Sequence, residues 1–206
     1  MPPKHFYRRR SFWLIALVVI IAPGALLLVI GQFTPAPGAW LVRQMTGLAR
    51  YDNLPNLPEI EANVVAVTDL IYDGQHMLDI YYPGEAANEP RPVVLYIHGG
   101  GFVGGSKATT RTYGMALANA GYVVANMDYA LAPEHRYPAP IIDANAALTY
   151  LVEHASEYGG DINRIFIGGN SAGAQITSQI AAVITNQAFA ETMDIQPALA
   201  PEQLRG

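Results

Sequence analysis

Hydrophobic positions follow two patterns along the 206-residue chain. Residues 12–30 (FWLIALVVIIAPGALLLVI) are almost wholly apolar, and no Asp, Glu, Lys or Arg occurs from Ser11 to Val42. A helix of that length spans about 30 Å of hydrocarbon. From about residue 61 the pattern changes to short apolar runs separated by longer helical ones. Residues 64–68 and 77–82 predict two strands joined across Asp73-Gly74, a turn dipeptide that tolerates positive φ, hence a hairpin. Residues 93–97, 122–127 and 164–168 are apolar without polar alternation, the mark of strands buried on both faces. Helical stretches at about 109–120, 139–155 and 172–186 lie between and after them. The order predicts an α/β fold, an antiparallel hairpin leading into a parallel sheet with flanking helices, preceded by a transmembrane helix. Chemistry in such sheets gathers at the carboxyl ends of the strands.

Charge sets the topology expected for the front of the chain. Lys4, Arg8, Arg9 and Arg10 precede the apolar run, and only Arg43 and Arg50 follow it closely. This predicts a cytoplasmic basic tail over 1–10, a signal-anchor helix over 11–31, and an extracytoplasmic remainder. Pro23-Gly24 predicts a kink, which membrane helices tolerate. A cleaved signal peptide is the alternative, but its apolar region is usually about 7–15 residues long, and the small-residue site here is limited to Pro35-Ala36-Pro37. A buried core helix is the third reading, opposed by length and by the flanking arginines. Residues 32–60 carry Pro35, Pro37, Pro55 and Pro58, which suit an extended stalk. Within it, Trp40 to Tyr51 predicts a short amphipathic helix.

Composition narrows the chemistry. Hydrophobic residues make up 51% of the chain and charged ones 14%, with a mean hydropathy of +0.17, an excess that the N-terminal run accounts for. Acidic groups outnumber basic ones 17 to 12, for a net charge of −5. That is the wrong sign for a nucleic-acid partner. The absence of Cys excludes disulfides, thiolate zinc sites and cysteine nucleophiles, so any nucleophile is oxygen or nitrogen.

Two strand ends carry unusual residues. The 93–97 strand runs into His98-Gly99-Gly100-Gly101-Phe102-Val103-Gly104-Gly105. Clustered glycines let several N–H groups converge on one point, where they stabilise a developing oxyanion. The 164–168 strand runs into Gly169-Asn170-Ser171-Ala172-Gly173, a G-x-S-x-G opening a helix. Glycines on either side allow a sharp turn that exposes the serine Oγ beside the Ala172 N–H. Each motif alone is weak; the two in this order, each after an apolar strand, are not. A phosphate-binding loop is the rival for the glycines. It needs 103–104 to open a helix, and no Gly-Lys-Ser/Thr follows in the required spacing. His98 reads as a hydrogen-bonding member of the turn, and His76, His135 and His154 as surface or turn residues. Asp128 is expected to accept from the turn that follows it, and Tyr137-Pro138 to cap the next helix.

Together with Asp128-Tyr129-Ala130-Leu131-Ala132-Pro133-Glu134 and Tyr137-Pro138-Ala139, these motifs resemble the hormone-sensitive-lipase-like and ferulic-esterase-like carboxylesterases of the α/β-hydrolase superfamily. The resemblance covers about residues 62–185. It implies Ser171 as nucleophile, an oxyanion hole from Gly99, Gly100, Gly101 and Ala172, and supporting roles for His98, Gly169 and Gly173. It implies a small-molecule ester substrate and no metal or organic cofactor. Asn170 stands where the family usually has Asp, and Ala174 where it often has Gly.

The α/β-hydrolase triad runs Ser, then Asp or Glu, then His. All five histidines precede Ser171, and the acids after it are Glu191, Asp194 and Glu202. Residues 61–206 are therefore expected to be an incomplete hydrolase domain, a fragment lacking the triad acid and histidine. Strand 164–168 would then have a bare outer edge, and residues 198–206 read as the approach to another strand. The alternative is a catalytically inactive, membrane-anchored binding protein of the same fold.

Overall fold

The computed structural model describes residues 4–47, 54 and 56–206. The chain divides into two compact units, residues 1–41 and 42–206. The first is dominated by α1 (Lys4–Gly31), which continues through Pro23. Its stretch Phe12–Gly31 is long and apolar enough to cross a membrane. Ile20 and Leu28 are 74% and 73% exposed, an arrangement that suits hydrocarbon or a signal sequence better than water.

The proline-rich segment is more helical than an extended stalk. Helix α2 (Ala36–Gly47) and helix α3 (Leu57–Asn63) lie within it. Pro37 and Pro58 each take the second helical position, where a missing N–H costs nothing because first-turn donors have no intrahelical acceptor. The expected amphipathic helix thus starts four residues earlier than Trp40, and its end over 48–51 lies outside the described residues.

The second unit is built on a five-stranded sheet: β1 (Val64–Ile71), β2 (Met77–Pro83), β3 (Arg91–Ile97), β4 (Val123–Met127) and β5 (Gly160–Gly169), in spatial order β1-β2-β4-β3-β5. β1 and β2 form the expected hairpin, and β2 joins β4 antiparallel. β4, β3 and β5 are parallel. Asp69, at φ 61°, breaks the β1 register between Val67 and Leu70 as a bulge, and its N–H donates to Asp79 Oδ1 at 2.9 Å.

Side chains alternate across the sheet as the pleat requires. Val93, Leu95 and Ile97 face α5 (Ala139–His154) and α6 (Ala172–Thr185), where Leu148, Leu151, Ile176 and Ile180 are fully buried. Val94 and Val124 face α3 and α4 (Arg111–Asn119), packing with Ile60, Met115 and Ala118. Both faces are covered, which is why the central strands read as unbroken apolar runs.

β5 is an edge strand, but its outer edge is not bare. Leu204 bridges Ile165 in parallel, Arg205 N–H donates to Ile165 O and Ile167 N–H to Gly206 O, each at 2.8 Å. The expectation of a bare outer edge is corrected accordingly: residues 204–206 occupy the position of a further strand. Leu148 interlocks α5 with this core, so Leu148→Ala is expected to lower unfolding free energy by about 2–5 kcal/mol in urea titration followed by circular dichroism.

Candidate active site

β3 and β5 are neighbours, with Ile97 opposite Gly169, so the glycine loop and the serine turn leave the sheet side by side at one edge. Ser171 sits between β5 and α6 at φ 53°, ψ −118°, a conformation that is strained for a residue with a Cβ and costs about 1–3 kcal/mol. Backbone bonds hold it there: Gly173 N–H donates to Asn170 O at 2.9 Å and Gln175 N–H to Ser171 O at 3.2 Å. The Ser171 side chain is exposed at the tip.

The flanking glycines are required by contact. A Cβ on Gly173 would lie 2.0 Å from Ile97 O, and one on Gly169 2.6 Å from both Ile97 O and the Gly173 carbonyl carbon. A Cβ on Gly99 would lie 2.8 Å from Asn170 O and 3.1 Å from Ser171 Cβ. The glycine loop thus presses directly on the serine turn.

Asn170, which sequence reasoning treated only as a departure from the family pattern, joins the two. Its Oδ1 accepts from Gly99 N–H at 3.0 Å. That bond removes Gly99 from the expected set of converging donors. Among the described residues, nothing accepts from the N–H groups of Gly100, Gly101 or Ala172. Gly100 and Gly101 reach this geometry at φ 132° and 63°, and the turn closes with Gly104 N–H donating to Gly100 O at 3.0 Å. The next α-helix begins only at Arg111, so the glycine–helix junction of a phosphate-binding loop is not formed here.

His98 is 1% exposed and its ring stacks on Tyr129 with centroids 4.3 Å apart. Its Nδ1 lies 2.7 Å from Gly99 O, and since a carbonyl only accepts, Nδ1 carries the proton. Tyr129 Oη donates to His98 O at 3.0 Å, and Asp128 Oδ1 lies 3.8 Å from His98 Nε2. Burial pushes the His98 imidazole below its usual range, against the opposing pull of the Gly99 bond and Asp128. Burial likewise raises the Asp128 carboxyl, opposed by the Lys107 N–H and by His98. His98 is a structural part of the loop, as the sequence suggested.

Asp128 does not hold the turn after it. Its Oδ1 accepts from Lys107 N–H at 2.6 Å, while the following turn is held by Asp143, whose Oδ2 accepts from Ala130 N–H at 2.8 Å. Asp143 comes from α5 and carried no local motif. Pro138 is the N-cap residue of α5, as expected.

The remaining described histidines lie elsewhere. His76 is a turn residue but partly buried; its Nδ1 lies 2.6 Å from Asp73 Oδ2 and 4.0 Å from Asp143 Oδ1, and its ring meets His135. His76 precedes β2, three strands from β5 in the sheet. His154 pairs with Glu157 at 2.9 Å, at the end of α5 that precedes β5. Asp73, His76 and Asp143 each offer one donor atom within 4.8 Å of the others. Asp73 also accepts from the Gln75 and His76 N–H groups, so these atoms already brace the hairpin turn.

A mixed sheet flanked by helices on both faces, with the serine turn at the carboxyl end of β5, defines an α/β-hydrolase fold. The BD-FAE family model matches residues 78–202, and the chain belongs to that family. It is 43% identical over 120 residues to Esterase LipI of Mycobacterium tuberculosis, covering 56% of this chain and 38% of that protein. It is 38% identical over 153 residues to Carboxylesterase NlhH of the same species, covering 72% of this chain and 46% of NlhH. Esterase B from Lactobacillus rhamnosis superposes with a TM-score of 0.63 at 27% identity, covering 85% of this chain and 54% of that structure. The chain thus spans about half the length of the proteins it matches, or less.

Two outcomes follow from the geometry. Gly173→Ala forces a methyl group onto the Ile97 carbonyl and is expected to cost about 1–3 kcal/mol or more of stability in thermal unfolding. His98 is expected to remain the neutral Nδ1–H tautomer at pH 6.5 in long-range 15N NMR. Because burial holds its folded pKa below the unfolded value of about 6.5, its contribution to stability is complete above the unfolded pKa and is lost as pH falls from there through the lower folded pKa.

Proposed function

We propose that the chain supplies the nucleophile and the oxyanion-binding backbone of a serine carboxylic ester hydrolase held at a membrane by α1. The observation that carries this reading is Ser171, strained and exposed at the β5–α6 turn, with the Gly99–Gly101 loop packed against it. The esterases among its relatives support the reaction class.

In this mechanism Ser171 Oγ attacks the ester carbonyl carbon while a base takes the hydroxyl proton. The carbonyl oxygen becomes an oxyanion and accepts from the N–H groups of Gly100, Gly101 and Ala172, the last at the positive end of α6. Collapse expels the alcohol, which takes the proton, and leaves an acyl ester on Ser171. Water then attacks that ester by the same route, releasing the acid and restoring the serine. The His98 ring is committed to Gly99 O and Tyr129, His76 to Asp73 and the His135 ring, and His154 to Glu157. The reading therefore takes its imidazole base and orienting acid from outside residues 1–206. The basic residues Lys4 and Arg8–Arg10 before the apolar stretch favour a cytoplasmic N-terminus and an extracytoplasmic hydrolase unit.

The same placement of histidines favours a second reading, a membrane-bound protein of this fold that binds an acyl ligand without turnover. Intact mass and fluorophosphonate labelling of the protein extracted from its native membrane separate the two. The hydrolase reading expects a probe adduct on Ser171, lost by about 10³-fold or more in Ser171→Ala. A folded protein of 22.2 kDa that takes no probe overturns it in favour of ligand binding.

A further inference from the structure

Arg43 lies outside the 78–202 family match, yet its guanidinium reaches both the glycine loop and the 130–134 segment that follows β4. Nε donates to Val103 O at 2.7 Å, and Nη2 to Ala132 O at 2.9 Å. Nη1 and Nη2 also take the two carboxylate oxygens of Glu134 at 3.0 and 2.5 Å. The planar fork is used on three sides at once, a geometry that a lysine ammonium does not reproduce.

The target of these bonds gives them meaning. Val103 directly follows Gly100, Gly101 and Phe102, three successive residues at φ 132°, 63° and 64°. Phe102 has a Cβ and pays for this conformation, so the loop keeps it only where neighbours over-determine it. The loop's own support is thin: Val103 and Gly104 N–H groups both turn back to Gly100 O, and one bond, Ala132 N–H to Phe102 O at 2.8 Å, ties it to the 130–134 segment. Arg43 adds charge-assisted bonds to the carbonyls on both sides of that single tie. The same contact draws the Glu134 carboxyl down to about 2.

We propose that Arg43 is a positioning residue: from outside the family domain it clamps the glycine loop to the 130–134 segment and so fixes the Gly100 and Gly101 N–H groups. The proposal rests on the hydrolase reading for its consequence in catalysis, but the clamp itself is testable without turnover.

Amide hydrogen exchange is measured on the full chain in detergent for wild type, Arg43→Met, Arg43→Lys and the surface control Arg111→Met. Arg43→Met is expected to speed exchange at Val103, Gly104 and Ala132 by about tenfold or more, with β3 and β4 unchanged. Exchange at those three amides equal to wild type overturns the clamp. If Arg43→Met loosens the whole unit, Arg43→Lys decides: faster exchange confined to the loop supports the proposal, and wild-type exchange overturns it. In fluorophosphonate labelling of the membrane-extracted protein, Arg43→Met is expected to lower the maximal labelling rate by about tenfold while half-saturation stays fixed, because aligned N–H groups act on the transition state. An unchanged maximal rate overturns the positioning role. A wild-type protein that takes no probe overturns the hydrolase reading instead, and leaves the exchange data to decide the clamp.

Discussion

The rest of the site depends on the contact between the ends of β3 and β5. Gly173 lies where any side chain would strike Ile97 O, Gly169 where it would strike both Ile97 O and Gly173, and Gly99 where it would strike Asn170. These three positions let a strand end, a loop and a helix start share a space that normally holds one of them. Remove the close approach and the serine turn separates from the glycine loop. The parallel pairing of β3 with β5 exists to hold that approach in register, and the helices on both faces hold the pairing.

A backbone this close must satisfy its polar groups locally, and that decides which N–H groups are left over. Gly99 N–H goes to Asn170 Oδ1, and Gly99 O takes the proton of His98 Nδ1. With Gly99 satisfied on both sides, it acts as the hinge pin between the loops. Among the described residues, nothing accepts from the N–H groups of Gly100, Gly101 and Ala172. The division follows from hydrogen-bond geometry: one amide N–H cannot fully serve two acceptors at once.

Much of this was legible in the sequence. The five strands and their order of appearance followed from apolar runs, and the two glycine motifs marked the correct strand ends. Period-2 and period-3.6 patterns are local, and the chain obeys them because both sheet faces are covered. What escaped was long-range. Asp143 holds the turn after Asp128 from 13 residues away on α5, a pairing with no local signature. The helical start at Ala36 has no signal in a proline-rich stretch read as helix-breaking, whereas in a first helical turn the missing donor is harmless. The cover on β5 was half-legible: residues 198–206 read as a strand approach, but their pairing with Ile165 and Ile167 needed three dimensions.

The strain stored near the site explains why its supports come from so many places. Ser171 and Phe102 both sit at positive φ with a Cβ, and each costs of order 1–3 kcal/mol against relaxed alternatives. No single neighbour offsets that. The serine turn is held from within, by Gly173 and Gln175 N–H groups at the start of a well-packed helix. The glycine loop has no such helix behind it, since α4 starts at Arg111, and it depends instead on its own His98 and on side chains from other elements: Tyr129, Asn170 and Arg43. A turn that continues into a helix carries its own scaffold; a loop that presents bare amides must borrow one. The side chains crowding around residues 98–105 are what a rigid loop of five glycines and one strained phenylalanine requires.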